Sequence, residues 1–256
     1  MDTRPNHRAG AAPGARYILA SYAGAGLPPE RASALVDDLV LEMPHYRPRA
    51  YFGAKPEALS GMDWLVTARD ARSGRHCAYL GACWLPYGAG TVMLYSLLVG
   101  ERQQRGPATF LVLGALFGML ADQQAPPFQR LILKTAHPRS YLAMERFDGL
   151  AGSEFFPNRR RANGEQVRRK AQALAALLHP ASRFDAEHGV IHDAALGTPN
   201  DFYQAAPTSS DASLNRLFAQ RVGLDHRMLC ILEFGSAAAR LALCNRFQPG
   251  RRGECA

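Results

Sequence analysis

A strand, a polar turn, an apolar helix and a second strand follow one another between residues 92 and 135, and this order constrains the fold most. Buried-strand patterns occur at 92–99 (VMLYSLLV) and 131–135 (LILKT), and 108–122 between them is typical of an apolar helix. Two strands joined through a helix need a crossover connection, so we predict that they lie parallel and side by side. Such a pair leaves a gap where the strands separate at their carboxyl ends.

The segments before residue 92 predict antiparallel neighbours for this pair. Residues 63–68 and 76–85 are strand-like and are joined by a hairpin turn at Gly74, after which the chain enters the strand 92–99. Further strands are predicted at 189–192 and 228–234, and helices at 28–44, 136–146, 164–178, 213–222 and 236–245. We therefore predict an α/β (α+β) fold: a mixed, mostly antiparallel central sheet with a splayed parallel strand pair, flanked by helices.

Composition limits the class of protein. The hydrophobic set makes up 47% of 256 residues, which excludes disorder as the dominant state. The longest apolar run, 109–121, is shorter than the ~20 residues that span a bilayer, so no membrane partner is predicted. Five cysteines without CxxC spacing indicate a reducing cytoplasm. We predict loose tails at 1–14 and 248–256, and between them a single domain, 15–247, with a helical and loop insertion at 150–227.

The turn between the first parallel strand and its helix predicts an anion site. Its backbone N–H groups, with the positive end of the helix dipole behind them, are suited to a diphosphate or a terminal phosphate. Gly106 and Ala108 lack bulk, so a phosphate can approach the main chain, and Arg102 and Arg105 add positive charge. The formal net charge of +8 agrees with an anionic partner.

These residues resemble the acetyl-CoA signature of the GCN5-related N-acetyltransferase (GNAT) superfamily, Q/R-x-x-G-x-G/A, which Gln103, Gly106 and Ala108 satisfy. The resemblance covers about residues 62–148 and implies an acyl-CoA-dependent N-acyltransferase that uses acetyl-CoA as co-substrate and needs no metal. It implies that pantetheine lies along Leu97, Leu98 and Val99. It also implies that pyrophosphate lies against Gln103, Gln104, Arg105, Gly106, Ala108 and Thr109.

Acyl transfer to an amine needs a base for the amine and an acid for the departing thiolate. Glu101, just beyond the first parallel strand, and Glu233, near the end of 228–234, are candidate bases; the alternative for each is an ordinary ion-paired residue. In the family a tyrosine that can protonate the departing thiolate usually stands where this chain has Met144. Tyr141, on a similar face of the helix, is the candidate substitute. The same helix begins with His137, where the family usually has Asn.

Other functions stay open at this point. The chain could be a catalytically degenerate CoA-binding or regulatory protein, or an RNA- or tRNA-associated acetyltransferase that uses the arginines between 158 and 170. His188 and His192 stand i, i+4 on an expected strand, ~13 Å apart, so a metal site is not predicted. The predicted partners are a CoA thioester and an unknown amine acceptor, with nucleic acid and a homodimer as open alternatives. Residues 23–62 and 150–227 are expected to select the acceptor.

Overall fold

The computed structural model describes residues 8–10, 16–23, 26–88, 90–103, 107–121, 128–195, 198–199 and 202–247. The chain divides into two units, each with its own packed elements. The first unit comprises residues 1–84, 94–127 and 241–256, and the second comprises 85–93 and 128–240.

The first unit is built on an antiparallel meander. Its strands are β1 (Arg8–Gly10), β2 (Tyr17–Ala23), β3 (Trp64–Asp70), β4 (His76–Leu85) and β5 (Thr91–Val99), of which Leu85 and the first three residues of β5 belong to the second unit. β2 pairs antiparallel with β1 and with β3, and β3 pairs antiparallel with β4. The end of β5 returns to the start of β4, where Gly100 N–H donates to the Cys77 carbonyl at 2.8 Å. The predicted strands 76–85 and 92–99 are therefore present almost residue for residue.

Two features of this meander go beyond the prediction. β1 lies within the segment 1–14 that we expected to be a loose tail, and its Arg8–Gly10 pair with Leu19–Ser21 of β2. This corrects the tail for those three residues; the reason is that an edge strand of three residues has too short a pattern to be recognised. The other predicted tail, 248–256, lies outside the described residues.

Helices α1 (Pro29–Glu42), α2 (Pro48–Ala54), α3 (Glu57–Ser60) and α4 (Ala108–Ala121) complete the first unit. α1 and α2 pack together, and α4 packs on β3 and β2. The core of α4 consists of Val112, Leu113, Leu116, Phe117 and Leu120, all nearly inaccessible. The sheet is thus covered by a helix that is apolar on most sides, as the sequence predicts.

The second unit has β10 (Arg227–Glu233) at the centre of its sheet. β10 pairs antiparallel with β6 (Arg130–Thr135) on one side and with β7 (Glu154–Phe156) and β9 (Val190–Ile191) on the other; β8 (Phe184–Asp185) pairs with β9. β7, β8 and β9 all come from 150–227, so the predicted insertion contributes strands to the sheet as well as helices. Each of these strands has only two or three residues.

The beginnings of β5 and β6 show that these neighbouring strands are parallel. The Gly90 carbonyl, just before β5, accepts from the N–H groups of Gln129 and Arg130 at 2.6 and 3.1 Å, and the Arg130 guanidinium donates to Thr91 Oγ1 at 2.9 Å. Two antiparallel neighbours would instead bring the start of one strand to the end of the other. The prediction of a mixed, mostly antiparallel sheet with one parallel pair and flanking helices is confirmed. The separation of the pair towards its carboxyl ends stays a prediction.

Helices α5 (Pro138–Glu145), α6 (Glu165–Leu178), α7 (Ala212–Arg221) and the first four residues of α8 (Ala237–Phe247) belong to the second unit, with a 3-10 turn at Leu150–Gly152. α5 packs on β6 and β10, and α6 packs on β7, β8 and β10. α6 buries Val167, Ala171 and Leu174, as its periodicity predicts. Among the residues in these described elements, no helix is long and apolar enough to cross a membrane. The single domain at 15–247 stays a prediction.

Candidate active site

The turn after β5 is closely packed around Gly100. A Cβ added to Gly100 would lie 2.6 Å from Gln103 Oε1 and 3.1 Å from Glu42 Cβ. Gln103 N–H donates to the Gly100 carbonyl at 2.9 Å, which closes the turn. Gly100 is therefore needed for the close approach of the end of α1 and the side chain of Gln103.

Gln103 is a buried polar residue of this turn. Its side chain is 5% exposed, and among the residues that the structure describes its Oε1 has no hydrogen-bond partner. An unsatisfied buried polar atom costs ~1–3 kcal/mol. A ligand that carries an N–H group would remove that cost, so the buried amide fits a ligand that enters beside the turn.

The start of α4 supplies backbone donors to the same turn. The Pro107 carbonyl accepts from Leu111 N–H at 2.9 Å, so the N–H groups of Ala108 and Thr109 precede the first intrahelical bond. Ala108 is fully buried and adds almost no bulk there. These donors and the helix dipole favour an anion. The predicted residues Gln104, Arg105 and Gly106 lie outside the described part of the chain.

The three predicted pantetheine residues on β5 differ in exposure. Leu98 and Val99 are 7% and 8% exposed, whereas Leu97 and Tyr95 are half-buried. Because alternate residues of a strand share a face, Tyr95 and Leu97 mark the accessible face of this strand. That face leads towards the turn at Gly100–Gln103.

Glu101 pairs with a histidine that the sequence analysis did not identify. Glu101 Oε2 lies 2.7 Å from His45 Nδ1, and Oε1 accepts from the His45 backbone N–H at 2.8 Å. Glu101 N–H donates to the Glu42 carbonyl at 2.8 Å, so the last turn of α1 is attached to the end of β5. The imidazole of His45 is 72% exposed and the Glu101 carboxylate 24%.

This pair is chemically suited to accept a proton. A carboxylate bonded to one ring nitrogen fixes the orientation of the imidazole and stabilises its charged form, while the other nitrogen stays available. His45 and Glu101 are 56 positions apart, and no spacing in the sequence connects them. The only sequence signal is that His45 follows the end of a predicted helix.

Glu233, the other candidate base, has permanent cations as partners. Its Oε1 lies 2.5 Å from Lys170 Nζ and 3.1 Å from the Arg130 guanidinium. Burial raises the pKa of the Glu233 carboxyl, but the hydrogen bonds from Lys170 and Arg130 outweigh it and place the pKa below its ordinary value. Since Arg130 also contacts Thr91, Glu233 lies near the beginnings of the parallel strands. Its role as a base stays a prediction.

Tyr141 is enclosed within the second unit. Its side chain is 1% exposed, its hydroxyl donates to the Pro157 carbonyl at 2.7 Å, and its ring meets Phe155 and Phe218 edge to face. Burial raises the pKa of the Tyr141 hydroxyl above its ordinary value. The tyrosine is thus protonated and bonded to a carbonyl, and its role as the acid stays a prediction.

The basic residues between 158 and 170, which the sequence offers as a nucleic-acid surface, form ion pairs with carboxylates. Arg159 donates to both oxygens of Glu145, at 2.9 and 3.1 Å, and to Asp211 at 2.5 Å, beside a cavity of about 340 Å³. The other members are each within ion-pair distance of an acid: Arg160 with Glu145, Arg161 with Asp148, Arg168 and Arg169 with Glu165, and Lys170 with Glu233. These contacts favour the reading of an ion-paired surface.

The histidine-rich segment near β9 carries short polar pairs. His188 Nδ1 lies 2.9 Å from Asp185 Oδ2, and His192 Nε2 lies 3.0 Å from the Arg183 guanidinium. Within the described ranges, no group of three or more His, Cys, Asp or Glu side chains is arranged to hold a metal ion.

Comparison with known proteins gives likenesses in structure. No protein-family model and no curated protein matches the chain. An acetyltransferase of the GNAT family from Desulfovibrio desulfuricans is similar over 84% of this chain and 98% of its own, with 14% identity and a TM-score of 0.38. YhbS, a GNAT-family N-acetyltransferase from Escherichia coli in complex with CoA, is similar over 52% and 70%, with 12% identity and a TM-score of 0.35. GphF, a GNAT-like decarboxylase in complex with isobutyryl-CoA, is similar over 81% and 97%, with 11% identity and a TM-score of 0.36.

All three TM-scores lie below 0.5. These three solved structures are described as members of, or like, the family that the sequence resemblance named.

Proposed function

We propose that the protein is an acyl-CoA-dependent N-acyltransferase, in the simplest case an acetyltransferase acting on an amine. One observation supports the proposal: among the described residues, the end of β5 and the start of α4 combine the first N–H groups of a helix, a buried amide oxygen without a hydrogen-bond partner and an adjacent carboxylate–imidazole pair. This turn, together with His45, thus has groups for an anion, for a polar arm and for the transfer of a proton.

The CoA moiety has complementary groups for each part of this turn. Its pyrophosphate would lie against the N–H groups at the start of α4 and against Gln104, Arg105 and Gly106. Its pantetheine would run along Leu97, Leu98 and Val99, where an amide N–H of the arm can donate to Gln103 Oε1. Glycine at 106 leaves room for the phosphates in this arrangement.

The Glu101–His45 pair supplies the base. The imidazole takes a proton from the acceptor ammonium, and the free amine attacks the thioester carbonyl carbon. As the C–N bond forms, the C–S bond breaks and CoA leaves as a thiolate; the nitrogen releases a second proton and the thiolate takes up a proton, which gives the amide and free CoA. Glu101 holds the imidazole by its Nδ1 and stabilises the positive charge that it gains.

A reducing cytoplasm is part of the proposal. Cys77 and Cys230 are buried thiols, and burial raises the pKa of both, that of Cys77 to about 12. Thiols of this kind are inert core residues and do not depend on an oxidising compartment.

The test is turnover with a panel of primary amines. Purified protein, acetyl-CoA and each amine are incubated, and both free CoA thiol and the N-acetyl product are quantified. We expect equal amounts of the two products with at least one amine. Binding of acetyl-CoA without either product over the whole panel would favour the regulatory alternative and contradict the proposal.

A further inference from the structure

Lys55 holds its ammonium group over two aromatic rings of the first unit. It directly follows α2, and its Nζ lies 5.5 Å from the ring centroid of Tyr51 and 5.8 Å from that of Tyr95. Both distances are within the range of a cation–π contact. A primary ammonium therefore has a defined position beside β5.

Hydrogen bonds hold the two rings in place. The Tyr95 hydroxyl donates to Glu57, and the Tyr51 hydroxyl is hydrogen-bonded to Ser96 Oγ on the same strand. The hydrogen bond from Tyr95 keeps the pKa of the Glu57 carboxyl below its ordinary value, and the charge of Lys55 acts in the same direction. Tyr51, Tyr95 and Glu57 form what we call the ammonium cage: two aromatic faces and an ionised carboxylate.

The cage lies on the strand that carries the proposed acyl arm. Tyr95 precedes Leu97 by two residues, so the two side chains share one face of β5, and both are half-buried. This step rests on the proposed function, in which the pantetheine runs along Leu97–Val99. The thioester at the end of that arm would then approach the cage along the accessible face of the strand.

We propose that the ammonium cage is the amine site of the acyl transfer and that Lys55 is its first substrate, so that the protein acylates its own Lys55. The ammonium gives up a proton, and the neutral Nζ attacks the thioester carbonyl carbon. The C–N bond forms, the C–S bond breaks, and the nitrogen releases a second proton. One of the two protons is taken up by the CoA thiolate and the other passes to solvent, leaving an N-acyl-lysine and free CoA.

The other lysines of the sequence, Lys134 and Lys170, provide internal controls. Lys134 Nζ lies 2.8 Å from His179 Nε2, and Lys170 Nζ lies 2.5 Å from Glu233 Oε1. Each therefore has a partner that differs from the ammonium cage. Chemical acylation by the thioester in free solution would modify lysines according to the exposure and basicity of each amine.

The experiment is peptide mapping after incubation with isotope-labelled acetyl-CoA. We expect Lys55 to be acetylated at least ~10-fold faster than Lys134 or Lys170, at a rate independent of protein concentration, because a positioned intramolecular amine has a high effective concentration. The same three lysines are also labelled with an N-hydroxysuccinimide acetate ester, which measures their intrinsic reactivity without CoA.

Variants of the cage test its role. Tyr51→Leu removes one aromatic face and should slow Lys55 acetylation by ~5-fold, while Tyr51→Phe keeps the face and should stay within ~2-fold of the original rate. Thermal unfolding of both variants shows whether the fold is retained. If Tyr51→Leu does not fold, the ratio of Lys55 to Lys170 labelling in the unmodified chain decides the question by itself.

The outcomes separate this inference from the proposed function. If acetyl-CoA binds but Lys55 is labelled no faster than Lys134 and Lys170, once corrected for intrinsic reactivity, the inference is overturned and the proposed function stands. If titration calorimetry shows that acetyl-CoA does not bind, both are overturned.

Discussion

Glu101 and Glu233 are two carboxylates that the sequence presents in the same way, each at the end of a buried strand, but the structure gives them different partners. Glu101 is bonded to the exposed imidazole of His45, whereas Glu233 is bonded to Lys170 and Arg130. An imidazole ring can both donate and accept a proton, whereas ammonium and guanidinium groups only donate hydrogen bonds.

The partner of a carboxylate, more than its position on the strand, therefore decides what it can do. Lys170 and Arg130 keep Glu233 ionised, and these ion pairs stabilise the packing of β6, β10 and α6. Glu101 accepts the same kind of hydrogen bond from a group that can pass a proton on. We therefore expect Glu101 to matter for rate and Glu233 for stability.

The largest effect should come from Glu101→Gln. The amide cannot stabilise a protonated imidazole, so the rate of CoA release with the best amine should fall by ~10²–10³-fold. Because the pair is partly exposed, the free energy of unfolding should change by less than ~1 kcal/mol. An unchanged rate would break the contrast by showing that Glu101 is only a surface ion-pair partner.

Glu233→Gln should reverse this pattern. Arg130 and Lys170 lose their counter-charge, and since Glu233 is 21% exposed we expect a loss of about 2 kcal/mol in the free energy of unfolding, less than for a fully buried pair. The pKa of the Glu233 carboxyl is lowered in the folded chain. Its contribution to the free energy of unfolding is therefore present above pH ~4.3, the ordinary value for glutamate, and is lost as the pH falls through the pKa of the folded chain. Denaturant titrations at pH 7 and pH 3.5 measure the loss of stability in Glu233→Gln and its pH dependence. As the control, turnover of the variant should stay within ~3-fold of that of the unmodified protein.

His137 offers a contrast to His45, because its imidazole lies beside the cation of Arg139. Burial, with a smaller contribution from Arg139, lowers the pKa of His137 from 6.5 to about 4, and its Nδ1 accepts from the Arg139 N–H at the start of α5. Between these values the unfolded chain binds the proton and the folded chain does not, so stability should decrease by ~2–3 kcal/mol as the pH falls from 6.5 to 4. His137→Asn keeps a capping side chain that does not titrate and should remove most of this slope. The same pH dependence of stability in the unmodified protein and in His137→Asn would contradict the assignment of this effect to His137.

Gly100→Ala should give the smallest effect. The new methyl group would displace the amide of Gln103, so we expect a loss of ~1 kcal/mol in stability and a ~3–10-fold weaker affinity for acetyl-CoA. Gly53→Ala is the matched control, because a Cβ there meets nothing within 4 Å and alanine favours the helix. If both variants bind acetyl-CoA equally well, the buried amide does not take part in binding.

The sequence was most informative where structure is local. The strands around Gly74, the strand that became β5 and the apolar helix α4 each carry a local hydrophobic pattern, and the crossover rule then required the parallel pair. The short strand β9 lies within the predicted strand 189–192, whereas β1, β7 and β8 were not predicted, since two or three residues are too short a pattern to be recognised. The His45–Glu101 pair and the cage around Lys55 could not be predicted either: each joins side chains about 40 to 60 positions apart.

The proposed function requires that CoA binds at the turn between β5 and α4, and titration calorimetry of acetyl-CoA measures this binding, with a free adenine nucleotide as the ligand control. We expect saturable heat for the unmodified protein and none for Gly106→Glu, in which bulk and negative charge enter the turn. Gly164→Glu, which adds the same charge where a Cβ has open space, should bind acetyl-CoA as the unmodified protein does. Equal affinity of the Gly106→Glu variant and the unmodified protein for acetyl-CoA would show that CoA does not bind at this turn.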